Sequence, residues 1–414
     1  MGRRAPGQVS DAAAGVGDAE QAARRLTGLA RRRQGLARAL PLLGMAAVVA
    51  LVLAGCGGAQ PYSTLSPKTS KADDIQNLYR IIFWAATVVF IGVQAAIVYI
   101  ILRFRRRNED RPEQIHGNRR LELAWTIIPA VVLLVIFIPT AQVIYNHASA
   151  EENADFSVDV YGKQWWWEIQ YPNIPGSKEG PDEHLTTANE IHIPQGADVV
   201  FNMRSNNVIH SFWVPQLSGK KDIIPGHDNK LQFKADTPGE YFGECAEFCG
   251  AAHAWMRFRV IVEPKPVFDA WVAAWHQPPP VPDANPTTAD VNDTPPAFGV
   301  CLVCHRVSGT NAQIAQQGIN ANVESIGAGP NLTMFGCRHT IGAGILENTP
   351  ENLKTWLEHT DQVKEGVYMP NYYKAGQIKD QQVAELVDYL GKLKPAGGCP
   401  PEQPFGGGTP VAGS

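Results

Sequence analysis

Between positions 245 and 256 the chain reads Cys245-Ala-Glu247-Phe-Cys249-Gly-Ala-Ala-His253-Ala-Trp-Met256. Two thiols, an imidazole and a thioether thus fall within twelve residues. Soft sulfur ligands select copper or zinc, and a thioether among them favours copper. A structural zinc site pairs thiolates two to four residues apart and adds another thiolate or an imidazole. Cys245 and Cys249 alone fit that pattern, but Met256 does not, because zinc gains little from a thioether. A single blue-copper ion takes one thiolate, two imidazoles and a weak axial sulfur, and here there is one thiolate too many. Two bridging sulfurs suit two copper ions, each of which then needs a terminal imidazole. His253 can supply one. The other has to come from a separate loop, and His210, in Val208-Ile-His-Ser-Phe-Trp-Val-Pro215, is the best candidate.

A second constellation is Cys301-Leu-Val-Cys304-His305. This is the attachment pattern of c-type haem, with two thioether-forming cysteines and an axial histidine. A thioredoxin-like CxxC belongs in a βαβ context, which the surrounding sequence lacks. The sixth iron ligand should be methionine or histidine. Met334 and Met369, the latter before Pro370, and His339 and His359 are the candidates.

These residues need elements to position them, and the 414-residue chain has room for two or three small domains. A net charge of −4 implies no general attraction to nucleic acid, and seven cysteines are too few for a disulfide scaffold. Apolar residues crowd into three runs. The first, 40–54, follows Arg31, Arg32, Arg33 and Arg38 and ends Leu53-Ala54-Gly55-Cys56, as a secretory signal does. The second and third, 81–102 and 125–145, are each long enough to span a bilayer as helix. Between them lie Arg103, Arg105, Arg106, Arg107, Arg111, Arg119 and Arg120. Arginine-rich short loops stay in the cytoplasm, so everything after residue 146 is expected outside it.

Residues 150–265 change character. Stretches such as 156–161, 190–193, 199–204, 230–233 and 255–262 are rich in β-branched and aromatic residues, punctuated by Pro and Gly, and predict an all-β sandwich or barrel. A short amphipathic piece follows at 268–275. Seven prolines within 277–296 make a semi-rigid linker, and 297–394 is mostly helical by pattern, 380–393 for example. The expected fold is therefore multidomain: signal region 1–55, transmembrane hairpin 56–146, β domain 147–276, linker 277–296, helical domain 297–394 and a disordered tail 395–414.

The residues Cys245 to Met256, with His210 upstream, resemble the dinuclear copper site of cytochrome c oxidase subunit 2. Gly162-Lys-Gln-Trp165-Trp166-Trp167 resembles that family's aromatic signature, with Trp166 where tyrosine is usual. Glu122-Leu-Ala-Trp125-Thr126-Ile-Ile-Pro129 resembles the opening of its second membrane helix, and Asp222-Ile-Ile-Pro225-Gly226 one of its turns. His227 stands where arginine is expected, and Asn207 where aspartate is common. The resemblance covers about residues 75–270 and implies a cupredoxin-like Greek-key domain. It implies that Cys245 and Cys249 bridge two coppers, with His210, His253, Met256 and the Glu247 carbonyl completing the shell. The Glu247 carboxylate would help hold magnesium at the contact with subunit 1. Trp165 would be where electrons come in; the plainer alternative is a core tryptophan.

The segment Gly329-Pro330-Asn331-Leu332 resembles the loop after the haem-binding segment of class I cytochromes c, and Met369 follows His305 at that family's spacing. A fused haem domain resembles the caa-type oxidase arrangement, in which a tether raises the local donor concentration. The implied function is passage of electrons, from an external cytochrome c or quinol-cytochrome c reductase, through haem and copper to subunit 1 and its fellow oxidase subunits. There oxygen would be reduced to water with proton pumping. The other readings are the copper subunit of a nitric oxide reductase, a stand-alone membrane-anchored carrier, and a copper-delivery lipoprotein. The run ending at Cys56 resembles a bacterial lipobox, which implies lipidation of that thiol at the bacterial cell membrane. Cys337 and Cys399 are left over, and in an oxidising compartment a disulfide between them is expected.

Overall fold

The computed structural model describes residues 62–105, 117–148, 154–175, 184–277, 295–305, 307, 329–395 and 397–400, with positions 44, 47, 50 and 51. Cys56, most of the expected signal region, nearly all of the Pro-rich linker and residues 401–414 lie outside them.

Two long apolar helices come first, α1 (Ser70–Arg103) and α2 (Arg119–Ala148), with mean hydropathy of 2.4 and 2.5 over their most apolar windows. Both are long enough to cross a bilayer. Helix α1 starts eleven residues before the apolar run does. Thr69 caps it, its Oγ1 accepting from Ala72 N at 3.1 Å. That first segment is tied to the β domain: Lys68 N donates to Gln216 O at 2.8 Å, and the Thr69 hydroxyl donates to Leu217 O. At the same end His147 of α2 pairs with Asp74 of α1 at 3.2 Å.

The β domain is a sandwich. Its strands are β1 (Phe156–Lys163), β2 (Trp166–Pro175), β3 (His184–Ala188), β4 (Glu190–Pro194), β5 (Asp198–Ser205), β6 (His210–Trp213), β7 (Lys221–Ile223), β8 (Asn229–Lys234), β9 (Gly239–Cys245) and β10 (Arg257–Glu263). One sheet has the order β3-β2-β1-β5-β8 and the other β4-β10-β9-β6-β7. The pairs β1–β5 and β4–β10 are parallel and the rest antiparallel, the crossed connectivity of a cupredoxin-like domain. Period-two alternation makes the core: Val158 and Val160 of β1, and Val199, Phe201 and Met203 of β5, are all buried. The Trp167 ring wedges between those of Phe212 and Phe258, at 5.9 and 5.1 Å. The sequence places a strand start at Trp255, but residues His253–Trp255 form a 3₁₀ turn. Strand β10 begins only at Arg257, because the turn delivers Met256 to the sulfur cluster first.

Helix α3 (Lys265–Trp275) closes one end, burying Phe268, Trp271, Ala274 and Trp275. The last domain opens with a 3₁₀ stretch, Pro296–Val303, and a short 3₁₀ turn at Phe335–Cys337. A two-stranded ribbon follows, β11 (Thr340–Ile341) with β12 (Leu346–Glu347), and then α4 (Pro350–Glu358), α5 (Thr360–Val363) and α6 (Asp380–Lys392). Val383, Leu386 and Leu390 of α6 lie at helical spacing and pack with Leu353 and Trp356 of α4. The expected tail is held at its start, since Cys399 forms a disulfide with Cys337.

The helical domain rests on the sandwich. Thr340 N and Oγ1 donate to the buried Glu190 carboxylate at 2.8 and 2.9 Å. Arg257 N donates to Ala343 O at 3.1 Å. Glu240 pairs with Arg259 at 3.0 Å within the sandwich and with His339 across the boundary at 3.5 Å.

Candidate metal centres

His210 opens β6 and Cys245 ends β9, and these strands are paired, with Phe212 opposite Cys245. The chain then loops and returns: Cys245 N donates to Met256 O at 3.0 Å and Ala246 N to Ser211 O at 2.9 Å. A loop closed at its base gathers the sulfurs of Cys245, Cys249 and Met256 at one end of the sandwich. The sulfurs of Cys245 and Cys249 lie 3.8 Å apart. Each has an imidazole beside it: His210 Nδ1 is 3.9 Å from Cys245 Sγ, and His253 Nδ1 is 3.6 Å from Cys249 Sγ. Met256 Sδ is 3.9 Å from Cys249 Sγ, and the Glu247 carbonyl is 3.3 Å from Cys245 Sγ. His210, Cys245, Cys249 and Met256 are buried, His253 and Glu247 half-buried.

Surrounding groups hold the donors still. Asn207 Oδ1 lies 3.2 Å from His210 Nε2 and accepts from Val208 N at 2.7 Å. Gly162 of β1 leaves room for the imidazole, because a Cβ there would stand 2.6 Å from His210 Cδ2. Trp165 Nε1 and Gln164 Nε2 donate to the Cys249 carbonyl at 3.0 and 2.7 Å. The hydrogen bond from Cys249 draws the Cys245 thiol well below its usual value against the cost of burial. The same bond, with burial, pushes Cys249 up. Two thiols this close cannot both ionise unless cations lie between them, and this donor set of two sulfurs, two imidazoles and a thioether suits copper.

The haem motif forms a cleft. Cys304 N and His305 N both donate to Cys301 O, at 3.1 and 2.9 Å. Cys301, Cys304, His305 and Met369 line the same cleft. Pro330 O accepts from His305 Nδ1 at 2.8 Å, which selects the tautomer whose Nε2 carries the lone pair. Burial depresses the His305 pKa, and burial with the Cys304 charge pushes Cys301 up to about 12. Gly329 has no side chain to fill the space, since a Cβ would come within 2.6 Å of the His305 ring. Arg338 also lines the cleft. Its Nε is buried without a hydrogen-bond partner, and burial lowers its pKa to about 10. A cleft with two thiols, an oriented imidazole, a thioether and a half-buried guanidinium fits a haem with its carboxylates. Met334 lies in the sandwich core cluster and His339 meets Glu240, so both are turned toward the β domain. No motif in the sequence marks Arg338, Lys364 or Tyr368 as site residues; only closeness to the Gly-Pro-Asn-Leu segment and to Met369 flags the first and last.

Three known families match along the chain. Residues 64–143 match "Cytochrome C oxidase subunit II, transmembrane domain", 156–263 match "Cytochrome C oxidase subunit II, periplasmic domain", and 297–394 match "Cytochrome c". Cytochrome c oxidase subunit 2 of Alkalihalophilus pseudofirmus is 33% identical over 366 residues, covering 86% of this chain and 97% of that protein. The chain belongs to the cytochrome c oxidase subunit 2 family. Cytochrome c oxidase subunit 2 of Bacillus sp. (strain PS3) is 35% identical, over 86% of this chain and 97% of that one. A solved periplasmic domain of subunit II from Bradyrhizobium japonicum is 30% identical, covering 29% of this chain and 93% of that one, with a TM-score of 0.25. This subunit 2 is thus the electron-transfer component of a haem-copper cytochrome c oxidase, membrane-anchored, with a copper domain and a fused cytochrome c domain. It works in a complex with subunit 1.

Proposed function

We propose that Cys245 and Cys249 bridge two copper ions, with His210 and His253 as terminal imidazoles, Met256 as a weak thioether ligand and the Glu247 carbonyl as the remaining donor. The observation that carries this reading is the 3.8 Å sulfur pair with an imidazole nitrogen beside each member. That separation is far beyond a disulfide bond. Cys301 and Cys304 would hold a haem through thioethers, with His305 and Met369 as axial ligands. Bound, the two groups would supply one-electron carriers between an external donor and subunit 1. The donor we infer is a cytochrome c or a quinol-cytochrome c reductase.

The chain's own residues orient, insulate and connect. Gly162 and Asn207 set the His210 ring plane. Trp165, 5% exposed and hydrogen-bonded to the Cys249 carbonyl, is where electrons would reach the copper site. Arg338 would balance haem carboxylates inside the cleft. The Glu247 carboxylate would help hold a magnesium ion against subunit 1. With the arginine-rich stretch between the two helices held in the cytoplasm, the copper and haem domains would lie outside it. Cys56, following cleavage of the segment before it, would carry the lipid.

Metal analysis of the purified oxidase tests the copper assignment. This subunit should bring two coppers, and Cys249→Ser should lower that number and remove the purple absorbance. One copper, or zinc, in its place would refute the dinuclear site. Met369→Ala should abolish the sulfur-to-iron charge-transfer band and lower the haem potential; an unchanged band would exclude Met369.

A further inference from the structure

The segment that leads into Met369 lies directly on the loops that hold Cys249. Gly366 has φ +80, and a Cβ there would stand 2.5 Å from that of Ala251, so the two backbones approach as closely as glycine permits. The Tyr368 ring sits 4.6 Å from that of Trp165, and its hydroxyl lies 3.5 Å from Gln164 Oε1. Gln164 and Trp165 are the two residues that donate to the Cys249 carbonyl. Lys364 begins this segment and is 2% exposed. Its ammonium donates across the domain boundary to Trp165 O at 2.6 Å, and within its own domain to Gly342 O at 3.2 Å. Burying a lysine against neutral carbonyls is costly, and burial draws its pKa down to about 7. A methionine would fill the same space without that cost, so stability of the haem domain alone does not account for an amine here. What the amine does that a methyl group cannot is grip the Trp165 backbone from the other domain.

We propose that Lys364 is a positioning residue for the haem-to-copper step: it latches the Met369 segment onto Trp165 and so keeps the haem cleft closed against the copper loops. This rests on the assignment of the two centres given above. The latch makes the docked arrangement, rather than the tether alone, the working state. While it is closed, Tyr368 covers the Trp165 ring, and electrons reach Trp165 from the fused domain instead of from a soluble donor.

The test uses the whole purified oxidase with Lys364→Met, which keeps the stem and removes the donors. A flash-generated reductant reduces the haem, and the following step is watched at the haem and copper bands. In that step the haem loses one electron and the copper pair gains it. The variant should transfer about tenfold more slowly, equivalent to about 1.4 kcal/mol of lost docking. Its rate should also become sensitive to viscosity, since it then waits for the domains to close. Amide hydrogen exchange over 163–166 and 366–368 should rise, with both optical spectra unchanged. Unchanged transfer and exchange would overturn the latch. So would loss of haem or copper in the variant, because a latch between two finished domains leaves each centre intact. Absence of transfer in the unmodified oxidase would instead remove the assignment of the centres themselves.

Discussion

The distance from Gly162 to the His210 ring leaves no space for a methyl group: an added Cβ would sit 2.6 Å from Cδ2 and 2.9 Å from Cγ. Neither β1 nor β6 can yield easily, since both lie within hydrogen-bonded sheets. Gly162→Ala should therefore displace the imidazole, at a cost of about 1–3 kcal/mol for overpacking. The expected outcome is weaker copper retention with an intact haem spectrum, read by metal analysis and absorbance on one sample. Copper content equal to that of the parent would refute the steric argument. At this scale legibility followed distance along the chain. The ligands from Cys245 to Met256 are legible because their spacing is local, and His210 because only a few histidines could complete the set. Lys364 was illegible, since nothing near it in sequence marks a lysine that will be buried under a neighbouring domain.

The ribbon β11–β12 and the turn before it carry the join between the two domains, and two devices hold them. The first is the Cys337–Cys399 disulfide, which spans a sequence separation of 62. Closing a loop of that length stabilises by about 4 kcal/mol on chain-entropy grounds. Cys337→Ser with Cys399→Ser should lower the melting temperature of the haem domain by about 15–30 °C while leaving its spectrum intact. An unaltered melting curve would show the loop to be held by other means. The second device is Glu240. Burial alone would raise its pKa, but the hydrogen bond and charge of His339, together with Arg259, hold it below the usual carboxylate value. A depressed carboxylate contributes stability that is present above its unfolded pKa of about 4.3 and lost as pH falls through the lower folded value. Exchange at amides 340–347 should accordingly rise as pH drops below about 4, and Glu240→Gln should flatten that dependence. The strands rich in β-branched and aromatic residues, β1, β4, β5 and β8, were visible in the sequence. The three- and four-residue strands β7 and β6 were too short for a period to show, and β11–β12, two residues each, owe their pairing to a Gly-rich turn containing Gly342 and Gly344.

Across the whole molecule, composition revealed the parts but not how they fit. Apolar runs, arginines and prolines mark out a hairpin, a sandwich and a helical domain, because each signal depends on local hydropathy or backbone restriction. The docking of haem domain on sandwich depends on side chains far apart in sequence, such as Glu190 with Thr340, 150 residues on, and no local pattern encodes that. Helix α1 is where the membrane and soluble parts meet without a hinge. At about 1.5 Å per residue, its 34 residues reach about 51 Å, well beyond a hydrocarbon layer of about 30 Å. The surplus emerges as a stilt, pinned to the sandwich through Lys68 and Thr69 and braced to α2 by His147 and Asp74. A rigid stilt turns bilayer thickness into an angle. In thinner lipid the helix must lean to bury its apolar length, and the copper face should lean with it. Reconstituting the oxidase in bilayers of graded acyl length should then change the rate of delivery to subunit 1 while leaving the haem-to-copper step constant, since only the former crosses from the leaning body to a neighbour with its own footing in the membrane.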